Sequence, residues 1–396
     1  MEKYLRLFFI IGFCFFLLGQ IWRIPLPFPG LYINSLDLFV GISISFSAFI
    51  FIKNRTSFNL PKPLILFIIT MIGSLLINPL HLSPIEFISS SFYILRLVGI
   101  LSIYLLLKYC IDSFPGFGIF LKKSIEVIAI SMAIIGIAQY LIFPDLKPLE
   151  MFEWDPHLYR VVGSYLDPGF TGILLLLGLI YLIVTRWHKR KTSWDKFKIS
   201  LIYISMMFTY SRATYLSFLV AITSISFLKK SPQFLFRAIA IFIITIIILP
   251  RPNSIGTRLE RQDSIKARIE NWSKTIKVIK QYPISGVGFN AYRYAQIRLH
   301  LLDPNEGLVS HSAAGADSSI LFTFVTTGLV GGIIYSLLLC KFISLLYESG
   351  NIVSFISLLC LLAHSLFLNS LYYSFVLFWI AIVVVYERRN PTEPKG

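Results

Sequence analysis

Long apolar runs recur along the whole chain, and they decide what it can fold into. GILLLLGLIYLIV (172–184) and AIAIFIITIIIL (238–249) contain no charged residue. Hydrocarbon offers the backbone no hydrogen-bond partner, so a segment like these must satisfy its own peptide groups as a helix. With 56% hydrophobic residues in 396, that much apolar surface exceeds what one water-soluble core hides. The fold class is therefore all-α, a polytopic integral membrane protein. The opening run, LRLFFIIGFCFFLLGQI, lacks a small-residue cleavage site and is read as a first span rather than a leader. The 35 Phe and 20 Tyr suit lipid-facing and interfacial positions.

About twelve spans of the ~20 residues a bilayer requires are expected. They lie near 5–21, 34–52, 63–79, 90–110, 120–143, 169–186, 197–210, 213–228, 234–250, 318–339, 352–369 and 371–386. Basic residues cluster in five short connections: at Lys53, Arg55 and Lys62; at Lys108, Lys122 and Lys123; over Arg186–Lys198; at Lys229, Lys230 and Arg237; and at Arg388-Arg389. Each cluster follows an even-numbered span, which places both termini in the cytoplasm. The organisation expected is a set of N-terminal spans (1–143), a core (144–386) with an external loop over 250–317, and a cytoplasmic tail (387–396).

That loop concentrates the polar chemistry of the chain: ten Lys or Arg and six Asp or Glu between Pro250 and Asp317. Basic residues facing outward run against the inside bias, although loops above ~60 residues are largely exempt from it. An anionic ligand is the natural reason. Within the loop, Ile265, Ile269, Trp272, Ile276 and Ile279 recur at helical spacing, so 264–280 predicts an amphipathic helix lying on the membrane. Arg268 and four lysines share its polar face, which could equally be solvated or bind headgroups. Pro283 ends the helix, and Gly286 and Gly288 permit a tight turn.

Arg212, in TYSRATY, sits where two spans meet with almost no loop between them. An Arg at that depth is costly, and is either functional or snorkels to mark the interface. Tyr210, Ser211, Thr214 and Tyr215 supply hydroxyls around a guanidinium whose planar fork suits an oxyanion. Arg160 precedes Asp167-Pro168-Gly169, itself a helix-start signal. His311 and Asp317 stand before the tenth span. Either could be a general base for a hydroxyl, His311 by its intrinsic pKa and Asp317 if burial raises its own. Trp272 and the YRYA segment from Tyr292 could stack on a ligand or anchor the interface. Arg96, Glu126 and His364 fall nearest mid-span. The four cysteines show neither pairing nor metal spacing, and no Walker loop or nucleophile setting occurs. No cofactor, metal or nucleic acid is expected.

Four motifs occur in order: R160VVGSYLDPG, Y210SRATY, R268IENW with P283ISGVG, and D317SSILFTFVTTGLVGG. Together, over roughly 150–335, they resemble the O-antigen ligase and polymerase family of bacterial envelope glycosyltransferases. The resemblance implies a GT-C-like, metal-independent enzyme of the bacterial inner membrane, working at its outer face. The donor would be an undecaprenyl-diphosphate-linked oligosaccharide, and a chain-length regulator would be a further partner. Arg212 and Arg268 would hold the pyrophosphate. The family's His would fall where this chain has Asp317, with His311 six residues earlier. The acceptor would be another lipid-linked glycan (a polymerase, the reading favoured because two external segments carry Arg and aromatic residues) or lipid A-core or a protein (a ligase). A transporter of lipid-linked glycan is the rival class; it predicts mid-membrane ionisable residues and internal symmetry.

Overall fold

The computed structural model describes residues 1–26, 31–54, 60–152, 154–252, 255–304 and 315–389. The chain is mostly helical, and each of the expected spans overlaps a helix: α1 (Glu2–Leu18), α2 (Ser35–Asn54), α3 (Lys62–Leu76), α4 (Pro84–Ser113), α5 (Phe117–Ile142), α6 (Pro168–Thr185), α7 (Ser193–Met207), α8 (Arg212–Leu228) and α9 (Pro232–Ile248). Two polar-loop helices follow, α10 (Asp263–Gln281) and α11 (Tyr292–Arg298), then α12 (Ser319–Glu348), α13 (Ile352–His364) and α14 (Ser374–Arg389). Among the described residues, five helices (α2, α4, α5, α6 and α12) are long and apolar enough to cross a membrane. A short antiparallel ribbon of β1 (Arg23–Pro25) and β2 (Tyr32–Asn34) joins α1 to α2.

Local chemistry sets the helix starts. Ser83 and Glu86 form a reciprocal capping box for α4, and Thr192 and Asp195 do so for α7. Asp167 caps α6 by accepting from the Phe170 amide at 2.7 Å, with Pro168 at the first helical position. Helix α6 is apolar on every side and is accordingly the most enclosed, with α5, α7, α8 and α13 around it.

The ionisable residues nearest mid-span are paired within the scaffold. Arg96 meets Asp37 at 2.6 Å, tying α4 to α2, and Glu126 meets Arg186 at 2.8 Å and Lys198 at 3.3 Å. His364 is buried with its Nδ1 on Ser370 Oγ. Isolated charges at such depth would be costly, and pairing lowers that cost.

One join fixes the polar loop to this frame. Helix α12 breaks at Gly328, whose φ of 65° is open to glycine but strained for side-chain-bearing residues. The break frees main-chain groups, and the P283ISGVG turn satisfies them. Val287 N donates to Val325 O at 3.0 Å, Gly288 N to Thr326 O at 3.0 Å, and Leu329 N to Pro283 O at 2.8 Å. The approach is so close that a Cβ on Gly328 would lie 2.0 Å from Ile284 O, and one on Gly286 2.5 Å from Gly328 N. These two glycine motifs, far apart in sequence, are the two halves of one joint.

Gly328→Ala is expected to lower thermal stability in detergent, because the left-handed backbone alone costs about 1–3 kcal/mol and the clash adds to it. Gly73→Ala, in α3 with nothing within 4 Å of its added carbon, should be tolerated. Equal melting temperatures for the two variants would refute the joint.

Candidate active site

The turn between α7 and α8 is one wall of the site. Tyr210 takes a positive φ of 49°, and Ser211 caps α8 by accepting from Thr214 N at 3.3 Å. Arg160 is buried against this turn, its Nε donating to Thr209 O at 2.9 Å and its Nη2 to Tyr210 O at 3.4 Å. Arg212, first residue of α8, reaches the other way. Its Nη1 donates to Arg261 O at 3.0 Å and Leu259 O at 3.3 Å, and its Nη2 binds Ser264 Oγ. One arginine therefore welds the start of α8 to the start of α10.

Helix α10 forms the second wall. Arg268, Asn271 and Trp272 share a face by their i, i+3, i+4 spacing. Asn271 Oδ1 accepts from Asp317 N at 2.9 Å, and Trp272 Nε1 donates to Asp317 O at 3.2 Å. Both bonds are to the Asp317 main chain, so its carboxyl is held in place without being consumed. Arg268 lies over the Phe367 ring at 5.8 Å, and Trp272 is 6.2 Å from the same ring. Trp272 thus meets the mouth of α12, while Pro283, just past the other end of α10, meets the Gly328 break. Helix α10 therefore runs parallel to the first part of α12 and packs along it. The joint at its C-terminal end dictates that direction. Ile265, Ile269 and Ile276 nonetheless remain an exposed apolar stripe.

Four guanidiniums converge here: Arg160, Arg212, Arg261 and Arg268. Burial pulls Arg160 down to about 9, and the charge of Arg261 adds to the effect. Arg261 is lowered to about 10 by burial, then by Arg212 and Arg268. Arg268 is lowered chiefly by burial, with Asp317 acting against it and Arg212 with it. All four stay charged at neutral pH, and their mutual repulsion makes a site ready for an anion. Asp317 is raised to about 6, first by burial and then by Asp167 and Asp155, with Arg268 opposing. A carboxyl with that pKa works as a base near neutrality. His157, close enough to feel Arg160 and Arg261, is driven down to about 3 by burial and those two charges, and stays neutral.

A cavity of about 450 Å³ opens beside the cluster, with Asp155, Asp167 and Asp317 in its lining. None of the four arginines lines it. Several expected contacts turn out to be internal. The Tyr210 hydroxyl donates to Pro250 O, Tyr215 to Met207 O, and Tyr292 shares a 2.7 Å hydrogen bond with Thr275. Ser211 is a helix cap. His311 lies outside the described residues. The sequence reading missed Arg261, whose seven-residue separation from Arg268 was the available signal, and Asn271, which had none. Among the described residues, no group of three or more His, Cys, Asp or Glu is placed to hold a metal ion.

Residues 197–336 match the family model for O-antigen ligase. Over that segment, about a third of its length, the chain is similar to the O-antigen ligase family. A search of curated proteins found no match. The ligase-family segment contains Arg212, Arg261, Arg268, Trp272, Asp317 and both halves of the Gly328 joint. Arg160 and most of the cavity wall lie outside it.

The repulsion within the cluster gives a direct test. Inorganic pyrophosphate should raise the melting temperature of the wild type, by the linkage between binding and stability, and raise that of Arg261→Gln at least several-fold less. The same increase in both would remove Arg261 from the anion site.

Proposed function

We propose that the protein is a glycosyltransferase that takes a glycan from undecaprenyl diphosphate and joins it to an acceptor hydroxyl at the outer face of the bacterial inner membrane. The observation that carries this reading is the convergence of Arg212, Arg261 and Arg268, with Arg268 beside Asp317, a carboxyl held at a near-neutral pKa at the mouth of α12. The ligase-family match over the same residues supports it. Metal independence follows in this proposal from the arginines, which supply the positive charge that the leaving group needs.

In the reaction, the ionised Asp317 carboxylate accepts the proton of the acceptor hydroxyl. The oxygen attacks the anomeric carbon of the donor sugar, and the bond from that carbon to the phosphate oxygen breaks. A single displacement inverts the anomeric centre. Lipid pyrophosphate leaves with the bonding electron pair, and the guanidiniums stabilise its growing charge; a single donor of this kind contributes about 10²–10³ in rate. Arg160, bonded to the Thr209 and Tyr210 carbonyls, holds the turn that presents Arg212. Polymerisation is favoured over ligation because two outward segments, around Arg160 and around Arg268, contribute to the site. Both termini are placed in the cytoplasm by the basic loops.

The deciding experiment is reconstitution with undecaprenyl-diphosphate-linked repeat units alone. A ladder of lengths marks a polymerase, and product only after adding lipid A-core marks a ligase. No product in either case, with labelled glycan changing leaflet, overturns the reading in favour of transport. Arg212→Ala and Arg268→Ala should abolish product at normal protein level.

The pH dependence follows from Asp317. Its carboxyl must be ionised to take the proton, so kcat/KM should fall tenfold per unit as pH drops below about 6 and level off above it. Asp317→Asn should lose about 10²–10⁴ in rate, and His311→Ala far less. A flat profile from pH 5 to 7.5, with near-normal Asp317→Asn, would mean that no side-chain base acts here.

A further inference from the structure

The cavity beside Asp317 differs in chemistry from the arginine cluster. Its lining carries three guanidiniums, Arg23, Arg96 and Arg293, against the three carboxyls Asp155, Asp167 and Asp317. Arg96 is moreover neutralised by Asp37 at 2.6 Å, so the cavity has no net call for an anion. The remaining wall is amide and aromatic. Phe170 and Tyr373 stack at 4.0 Å with 16° between their planes and form a flat apolar face. Asn34, Asn290 and Asn369 offer both donors and acceptors around it. The Oδ1 atom of Asn369 is buried with no hydrogen-bond partner among the described residues. Buried polar atoms are normally satisfied, so this one is expected to find its partner in a ligand. Flat rings flanked by amides and carboxylates suit a carbohydrate, whose ring has an apolar face and a rim of hydroxyls.

Position adds a second argument. In a single displacement the attacking hydroxyl and the leaving pyrophosphate lie on opposite sides of the anomeric carbon. Asp317 is shared between the cluster and the cavity, whereas Arg160, Arg212, Arg261 and Arg268 are absent from the cavity lining. The donor pyrophosphate therefore belongs to the cluster, and the cavity is left for the attacking partner. Its volume, about 450 Å³, falls within the usual range for small-ligand sites.

We propose that this cavity is the acceptor subsite, that it takes the uncharged sugar rings at the end of an acceptor glycan, and that Phe170, Tyr373 and Asn369 select them. The proposal rests on the glycosyltransferase reading and deepens it. It also divides the labour along the chain. Asn34, Asp155, Asp167, Phe170, Asn369 and Tyr373 all lie outside 197–336, so the reaction is built by the segment shared with the family and the acceptor is read by segments that are not.

The test is equilibrium binding, without turnover. The full chain in detergent is titrated with short oligosaccharides released by mild acid from the polysaccharide of the producing organism, carrying no lipid or phosphate, and binding is read by saturation-transfer NMR. Wild type should bind, Arg268→Ala should bind as well as wild type, and Asn369→Ala and Phe170→Ala should each lose at least tenfold in affinity. Asn369→Asp, which keeps size and one acceptor, controls for folding and should retain part of the binding; melting temperatures are measured for every variant. Undiminished binding by both Asn369→Ala and Phe170→Ala would overturn the proposal, and so would loss of binding in Arg268→Ala or displacement of the glycan by inorganic pyrophosphate. Transfer activity is scored separately. If glycan binds as described but no transfer occurs with any donor, the acceptor site stands and the transferase reading fails.

Discussion

Main-chain hydrogen bonding in an apolar surrounding is the constraint on which the site depends. A helix broken in such a place exposes peptide groups that water cannot reach, and something must satisfy them. In α12 the break at Gly328 is filled by the backbone of the Pro283–Gly288 turn, with three main-chain hydrogen bonds of 2.8–3.0 Å. That joint fixes the end of α10. The Asn271 and Trp272 bonds to Asp317 fix its middle, and Arg212 fixes its start. A polar helix is thereby held at three points against the membrane-spanning frame, and the arginines that it carries or precedes are held with it.

Rigid support explains how four like charges stay together. Arg160 and Arg212 each direct hydrogen bonds at carbonyl oxygens of neighbouring turns, so part of the cost of their burial is offset locally. Their repulsion is not removed. Burial first, and then that repulsion, lowers Arg160 and Arg261 below their ordinary values, so the cluster favours an anion. The same burial acts oppositely on Asp317, raising it, because desolvation always disfavours the charged form. In the proposed reaction, one environment thus supplies both the holder for a leaving anion and the base for a hydroxyl.

Much of the frame was legible beforehand. Apolar runs gave helices close to their observed limits, and Asp167-Pro168 marked the start of α6, because lipid and capping are local demands. Arg212 and Arg268 stood out for the same kind of reason: a charge in an apolar setting is conspicuous. The internal hydrogen bonds of Tyr210, Tyr215 and Tyr292 were not legible, since a hydroxyl beside an Arg reads alike whether it faces a ligand or a buried group of the chain. The direction of α10 was also hidden. Its amphipathic pattern reports which face is apolar and says nothing of which element covers the other.

The sequence by itself determined that the chain is a bundle of apolar helices, where its charged residues interrupt them, and which glycines and arginines are unusual there. These follow from solvent and backbone geometry, which act over a few residues. Tertiary structure alone decided that Gly286 meets Gly328, that Arg261 joins Arg212 and Arg268, and that Asp317 faces a cavity walled by residues from both ends of the chain. Those contacts join segments tens to hundreds of residues apart, and a pattern of period 3.6 contains no information about which distant partner completes it.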